Sequence, residues 1–334
     1  MVRRKKSRLR NFVIPAVAGT IYASSEYFVN KYLYRKSIEE ATRLKYKKKL
    51  KEKDQENELD DPKDFLNSQE IIRQNQLSQT SYGNEFNHTT KIARIRSMDG
   101  LELVSKFREQ QEPTHKWVII IHGYSSNANR MMSYAGYYFE HGYNILTPYN
   151  RAHGLSQGNY VGMGFLDRFD IENWINWILE RDSQAQIVLH GRSMGAATAM
   201  MVAGDNISAV TSCIEDCGYT SAWDYFSNRL EREGFPKALV MRQFNILTKA
   251  KLGYSLKEAA PLEAVSHTRI PILVIHGGLD QEVPTEMTYR LYENISSEKE
   301  IYIVAQAGHG DSKDYDVEAY WGKVFDFIEN HHRK

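Results

Sequence analysis

Cysteine is almost absent from this chain. Its 334 residues include two, Cys213 and Cys217, too few for a disulfide scaffold, and their C-x-x-x-C spacing matches neither a common zinc site nor a thioredoxin-like redox motif. They read as two small side chains near a strand end. Also missing are a Walker A glycine–lysine loop, an H-E-x-x-H helix and a G-x-G-x-x-G turn after a strand. Nothing in the sequence therefore demands a metal, a nucleotide or another cofactor. Net charge is lacking too: 43 Lys and Arg stand against 42 Asp and Glu, a balance that favours neither nucleic acid nor an acidic partner. No internal repeat is visible. Near the N-terminus the uncharged run, Asn11 to Ser25, is shorter than the roughly 20 residues that a spanning helix prefers.

The charge that is present lies unevenly. Residues 1–50 hold fourteen Lys and Arg against three acidic residues, so residues 51–334 carry about ten negative charges in excess. Six of the first ten residues are basic, and an apolar, small-residue stretch from Phe12 to Ala23 follows. That is the form of a signal peptide or signal anchor. Residues 1–35 are read as a basic, signal-anchor-like segment that brings the chain to a membrane. If it spans, the basic residues stay cytoplasmic and the body lies outside. The alternatives are a cleaved signal and a cytoplasmic or surface-lying basic helix. A nucleic-acid arm is disfavoured, because an apolar run follows directly and the body is acidic. Residues 36–88, with KYKKKLKEKDQENELDD at their centre, read as a charged linker or helical tether. Residues 89–334 read as the folded body.

With 42% hydrophobic and 12% aromatic residues, the body can bury a full core. KIARIRS and LELVSKFRE flank Met98-Asp99-Gly100 and predict an antiparallel hairpin. WVIII (Trp117–Ile121) is a continuous apolar run, as a strand covered on both faces should be. NILTPYN, QIVLH, SAVTSCIED, PILVIH and IYIVAQA repeat the theme. Helical patterns separate them: Ile171, Trp174, Ile175, Ile178 and Leu179 fall on one helical face, and Tyr320, Val324 and Ile328 do the same later. This alternation predicts a mostly parallel sheet with helices on both faces, in which ligands bind beyond the C-terminal strand ends.

The residues just past those runs are the candidates for chemistry. Gly191-Arg192-Ser193-Met194-Gly195 follows QIVLH, Asp280 follows PILVIH, and His309 follows IYIVAQA. A G-x-S-x-G pentapeptide arises by chance in about one chain of this size in ten, so it needs partners. Ser, Asp and His in that order, each past a strand, supply them. A serine hydroxyl is a poor nucleophile without a base in reach. His309 can take its proton and return it to the leaving group, and Asp280 would hold the imidazole's tautomer. Asp216, past SAVTSCIE, is the alternative acid. The backbone N–H groups of Met194 and of Tyr124, after His122-Gly123, would form an oxyanion hole. His122, His190 and His276 end apolar runs and read as structural histidines. Arg192 reads as packing or pairing locally, with binding of a substrate carboxylate the alternative.

These motifs, HGY, GRSMGA, HGGLDQEVP and AGHG, with NRAHGLSQGNY between them, resemble the α/β-hydrolase superfamily, specifically its serine-aminopeptidase-like branch, which includes bacterial membrane-bound and cell-surface hydrolases. The resemblance covers about residues 91–328. It implies an α/β-hydrolase fold, with a mostly parallel eight-stranded sheet and a helical cap before the seventh strand. Tyr149-Asn150-Arg151-Ala152-His153 departs from the Asp-x-Arg-Gly-His of many relatives, which puts a loop-structuring carboxylate in doubt. His153 and Ser156 are expected to organise that loop. The cap falls at about 219–262, where Trp223, Tyr225, Phe226 and Phe244 are expected to line an acyl pocket. The function expected is cleavage of an acyl bond, most simply a carboxylic ester, through an acyl-enzyme and without a cofactor. An aminopeptidase or amidase, with Glu282 or Asp216 catching the amine, is the first alternative. A catalytically silent, membrane-tethered interaction protein is the second.

Overall fold

The computed structural model describes residues 62–331. The signal-anchor-like segment, and the linker as far as residue 61, lie outside the described residues. Helix α1 (Pro62–Asn87) precedes the hairpin β1 (Lys91–Arg96) and β2 (Glu102–Arg108). Asp99-Gly100 turns it, with Gly100 at φ +85°, where a side chain would be strained. Then come β3 (Lys116–Ile121), a 3-10 turn (Ala128–Met131), α2 (Met132–Glu140), β4 (Asn144–Pro148), α3 (Phe165–Leu179), β5 (Gln186–Arg192), α4 (Met194–Gly204) and β6 (Val210–Asp216). The cap helices α5 (Ala222–Arg232) and α6 (Lys237–Leu252) and the short α7 (Pro261–Val265) lead to β7 (Ile272–Gly277). The chain closes with α8 (Thr285–Asn294), β8 (Lys299–Val304), α9 (Ser312–Tyr315) and α10 (Val317–Asn330).

The eight strands form one sheet in the order β1-β2-β4-β3-β5-β6-β7-β8. β2 runs antiparallel to both β1 and β4, and every other pair is parallel. Alternate residues of each apolar run feed opposite layers. Trp117, Ile119, Ile121, Ile187 and Leu189 pack on one face with Ile171, Trp174, Ile175 and Ile178 of α3 and with α4. Val118, Ile120, Val188, Ile214 and Ile275 pack on the other with α2 and α10. Each fully buried Ile or Trp of α3 contributes about 1.5–3 kcal/mol of apolar transfer, which explains why that face dictated the helix.

One expectation needs correction. The stretch read as a charged linker or helical tether is, over residues 68–87, a helix, but one docked on the body. Ile72 and Phe86 are buried, and Phe86 joins the core on the α2 side. A Cβ on Gly83 would stand 2.8 Å from Ser133 N, and one on Gly136 would stand 2.5 Å from the Tyr82 ring. Helices α1 and α2 thus cross where each offers a glycine. The packed body starts well before residue 89.

Candidate active site

Between β5 and α4 the chain reverses through Ser193, held at φ 56°, ψ −119°. A non-glycine residue there costs on the order of 1–3 kcal/mol and persists only when its surroundings enforce it. They do: Ser193 N donates to Asp216 O at 2.7 Å, and Ser193 O accepts from Ala197 N at 3.0 Å. The flanking glycines are steric necessities. A Cβ on Gly191 would sit 2.1 Å from Gly195 O, and one on Gly195 would sit 2.0 Å from Ile121 O.

The elbow aims Ser193 Oγ at His309, whose Nε2 lies 2.8 Å away. On the far side of the ring, Nδ1 is 2.7 Å from Asp280 Oδ2. A carboxylate at Nδ1 keeps the proton there and leaves Nε2 as the acceptor for the hydroxyl. Asp280 is itself fixed: Oδ1 accepts from Glu282 N at 2.8 Å and Val283 N at 2.9 Å, while His276 Nε2 stands 3.2 Å from Oδ2. Burial alone would raise this carboxyl, but the hydrogen bonds from His276 and His309, with their charge, outweigh it and hold Asp280 well below the usual carboxylate range.

Asp216, the alternative acid, is otherwise engaged. Its Oδ2 accepts from Tyr320 Oη at 2.9 Å; that hydroxyl also meets His190 Nε2 at 3.1 Å, and His190 Nδ1 meets Tyr138 Oη at 2.9 Å. Burial pulls His190 down to about 3, so it is neutral, a structural histidine within a buried polar chain.

Comparison with known proteins agrees with this architecture. The family model for serine aminopeptidase, S33, matches residues 112–229. The YqkD protein of Bacillus subtilis (strain 168) is 28% identical over 220 residues, 65% of this chain and 72% of that protein. The YfhR protein of Escherichia coli (strain K12) is 23% identical over 215 residues, 63% of this chain and 69% of that one. Esterase Pf2001 of Pyrococcus furiosus superposes with a TM-score of 0.61 at 21% identity, covering 73% of this chain and 92% of its own. An acylaminoacyl peptidase of Pyrococcus horikoshii superposes with a TM-score of 0.56 at 19% identity, covering 73% of this chain and 42% of its own. The chain has the α/β-hydrolase fold. Over residues 112–229, about a third of the chain, it is similar to the serine aminopeptidase, S33, family.

Around the elbow of this hydrolase lie residues that the sequence left in the background. Arg192 pairs locally: Nη2 donates to Gly310 O at 2.9 Å and His309 O at 3.4 Å, so it ties the histidine loop to the serine's strand. Gly310 takes φ +69°, and a Cβ on it would lie 2.2 Å from Arg192 Nη2. The Tyr124 loop abuts the elbow, since a Cβ on Gly123 would be 3.2 Å from that of Ser193. His153 fixes this loop, with Nε2 2.7 Å from Tyr124 O and Nδ1 2.8 Å from Arg151 O. Met194, the first residue of α4, has its N–H among those that a helix start leaves without an intrahelical acceptor.

The carboxylate missing at Tyr149 is replaced from elsewhere. Arg151 forms a buried pair with Asp170 (Nε–Oδ2 2.7 Å) and reaches Asp99 of the hairpin turn at 3.0 Å. Ala152 sits at φ 57°, a left-handed conformation that glycine adopts without strain. Ser156 Oγ donates to Tyr149 O at 2.6 Å, organising the loop as expected.

The cap corrects part of the pocket expectation. Phe226 and Phe244 are fully buried with ring centroids 4.9 Å apart, in an apolar cluster that joins Leu230, Val240 and Met241 of the cap to Met163, Met194 and Ala197 of the body. Trp223 and Tyr225 are only half-buried. Trp223 lines a groove of about 550 Å³ whose walls include Ser221, Asp224, Lys257 and Glu263 but none of Ser193, Asp280 and His309. Among the described residues, donor atoms of Cys217, Asp280 and His309 lie within 4.8 Å of one another. A cation there would compete with the Asp280–His309 hydrogen bond, and burial keeps the Cys217 thiol protonated.

Proposed function

We propose that this hydrolase is a carboxylesterase-like enzyme working through an acyl-enzyme, with Ser193 as nucleophile, His309 as general base and acid, and Asp280 as the orienting acid. Ser193 Oγ attacks the ester carbonyl while its proton passes to His309 Nε2. The resulting oxyanion is met by the N–H groups of Met194 and Tyr124. Asp280 stabilises the imidazolium, which then protonates the departing alkoxide. Water repeats the sequence and frees the acid. The observation that carries this reading is the unbroken chain Ser193 Oγ–His309 Nε2 at 2.8 Å and His309 Nδ1–Asp280 Oδ2 at 2.7 Å, on an elbow whose strain serves no packing purpose.

An ester is favoured over a peptide because both carboxylates that would catch an amine terminus are occupied. Glu282 stands 3.5 Å from Arg232, and Asp216 is buried on Tyr320. Trp223 and Tyr225, the half-buried cap aromatics, are the ones proposed to meet the acyl group. The test is a panel of p-nitrophenyl esters from acetate to palmitate, with Ser193→Ala alongside. Turnover lost by at least about a thousandfold in the variant supports the reading. Turnover retained at an unchanged melting temperature would sink it.

The basic, apolar N-terminal segment is proposed to attach the enzyme to a membrane. Its six basic residues in the first ten, followed by Phe12–Ala23, support that proposal. Among the described residues no helix is long and apolar enough to cross a membrane.

A further inference from the structure

We infer that helix α1, although it lies outside the residues matched by the family model, is a positioning element for catalysis: it holds from outside the loop that presents His309. This rests on the reading of His309 as the base.

The argument starts from the sheet. His309 follows β8, the edge strand, whose residues are mostly half-exposed. A loop leaving an edge strand has a neighbouring strand on one side only. On that inner side, Arg192 donates to His309 O and Gly310 O. On the outer side the loop continues directly into α9, a helix of four residues, too short to hold itself in place. Helix α1 covers it. Asn75 Nδ2 donates to Asp314 O at 2.8 Å, Gln76 Nε2 donates to Asp311 Oδ1 at 3.2 Å, and Lys313 Nζ reaches Gln79 Oε1 at 3.5 Å. Lys313 is buried at 2% exposure, paired with Asp314 and set over the Tyr134 ring of α2. One residue, Gly310, separates His309 from Asp311. The helix is anchored independently of these contacts. Besides the Gly83 and Gly136 crossing, Tyr82 Oη donates to Glu140 at 2.5 Å, and the Arg108 guanidinium lies between Phe86 and Phe139, 3.8 Å from the latter's centroid. A firmly seated helix can therefore transmit its position to the loop, and a shift of about 1 Å at a reacting group costs up to a hundredfold in rate.

The test uses the full-length protein and a fluorophosphonate probe, which reports on Ser193 without needing the natural substrate. The reaction forms the Oγ–P bond, expels fluoride and hands the hydroxyl proton to His309. Asn75→Ala/Gln79→Ala removes the half-buried contacts to Asp314 and Lys313, together with the Gln79 hydrogen bond to Tyr137. Gln76→Glu instead sets a second carboxylate against Asp311 without removing volume, and serves if the first variant does not fold. The expected result is a fall in kinact of about tenfold, with KI within twofold and still one label per chain. Gln74→Ala, on the exposed side of the same helix, should change nothing. An unchanged kinact in both variants would overturn the inference, as would fewer labelled chains reacting at the original rate, which would make the helix a stability element alone. If the wild-type protein takes no label on Ser193, the nucleophile reading itself fails, an outcome distinct from the other two.

Discussion

Asp280 shows how a single side chain acquires its role from its neighbours. Its carboxylate is kept ionised by His276 and His309 against the cost of burial, and both ring nitrogens of His309 are thereby committed. Asp280→Asn should keep the fold and lower kcat by about 10⁴-fold, because the amide no longer enforces the productive tautomer. Asp216→Asn should keep most of the activity. Steady-state kinetics on the preferred ester separates the two acids, and the reverse ranking would reassign the role. Behind Asp280, Glu215 is fully buried with Oε2 accepting from Gly218 N at 2.7 Å, and burial pushes its carboxyl up to about 8, against the pull of the His276 charge. Since the unfolded value is about 4.3, the folded state binds the extra proton between those limits. This group's stabilisation is therefore full at low pH and is lost as pH rises toward 8. Glu215→Gln cannot titrate. The melting temperature of the variant relative to the wild type should rise steadily from pH 5 to pH 8; a constant difference would mean that Glu215 does not titrate in that window.

At the level of elements, legibility followed the source of each element's stability. Helix α3 was readable because four large apolar side chains at helical spacing are buried on one face, and the central strands β3 to β7 because each is a run covered on both sides. The docking of helix α1 was not, and for the same reason in reverse. The helix docks through a glycine crossing, amide hydrogen bonds and two widely spaced buried side chains, Ile72 and Phe86, and none of these leaves a periodic apolar stripe. In the cap, four aromatics were visible, but the sequence had no means of dividing core from pocket. Phe244→Ala should cost about 3–5 kcal/mol in urea unfolding and leave the preferred ester chain length unchanged, since its ring packs on Phe226. A shifted preference would put Phe244 in the acyl site.

For the molecule as a whole, charge is partitioned between a basic N-terminal segment and an acidic body. If the proposal of membrane attachment holds, the full-length protein expressed in a bacterial cell should sediment with the membrane fraction, and residues 62–334 alone should not. Recovery of the full-length chain in the supernatant would refute it. What the sequence determined by itself was the order of the strands along the chain, the α/β class and the three residues past the strand ends, because apolar runs and glycine-flanked turns are local signals. Only the tertiary structure decided that Asp280 and not Asp216 meets His309, that Arg192 and helix α1 hold the histidine loop from either side, that Arg151 draws its carboxylates from Asp99 and Asp170, and that Phe226 and Phe244 belong to the buried cluster between cap and body. Each of those is a contact between residues far apart in the chain, and such a contact exists only after the sheet has brought its strand ends together.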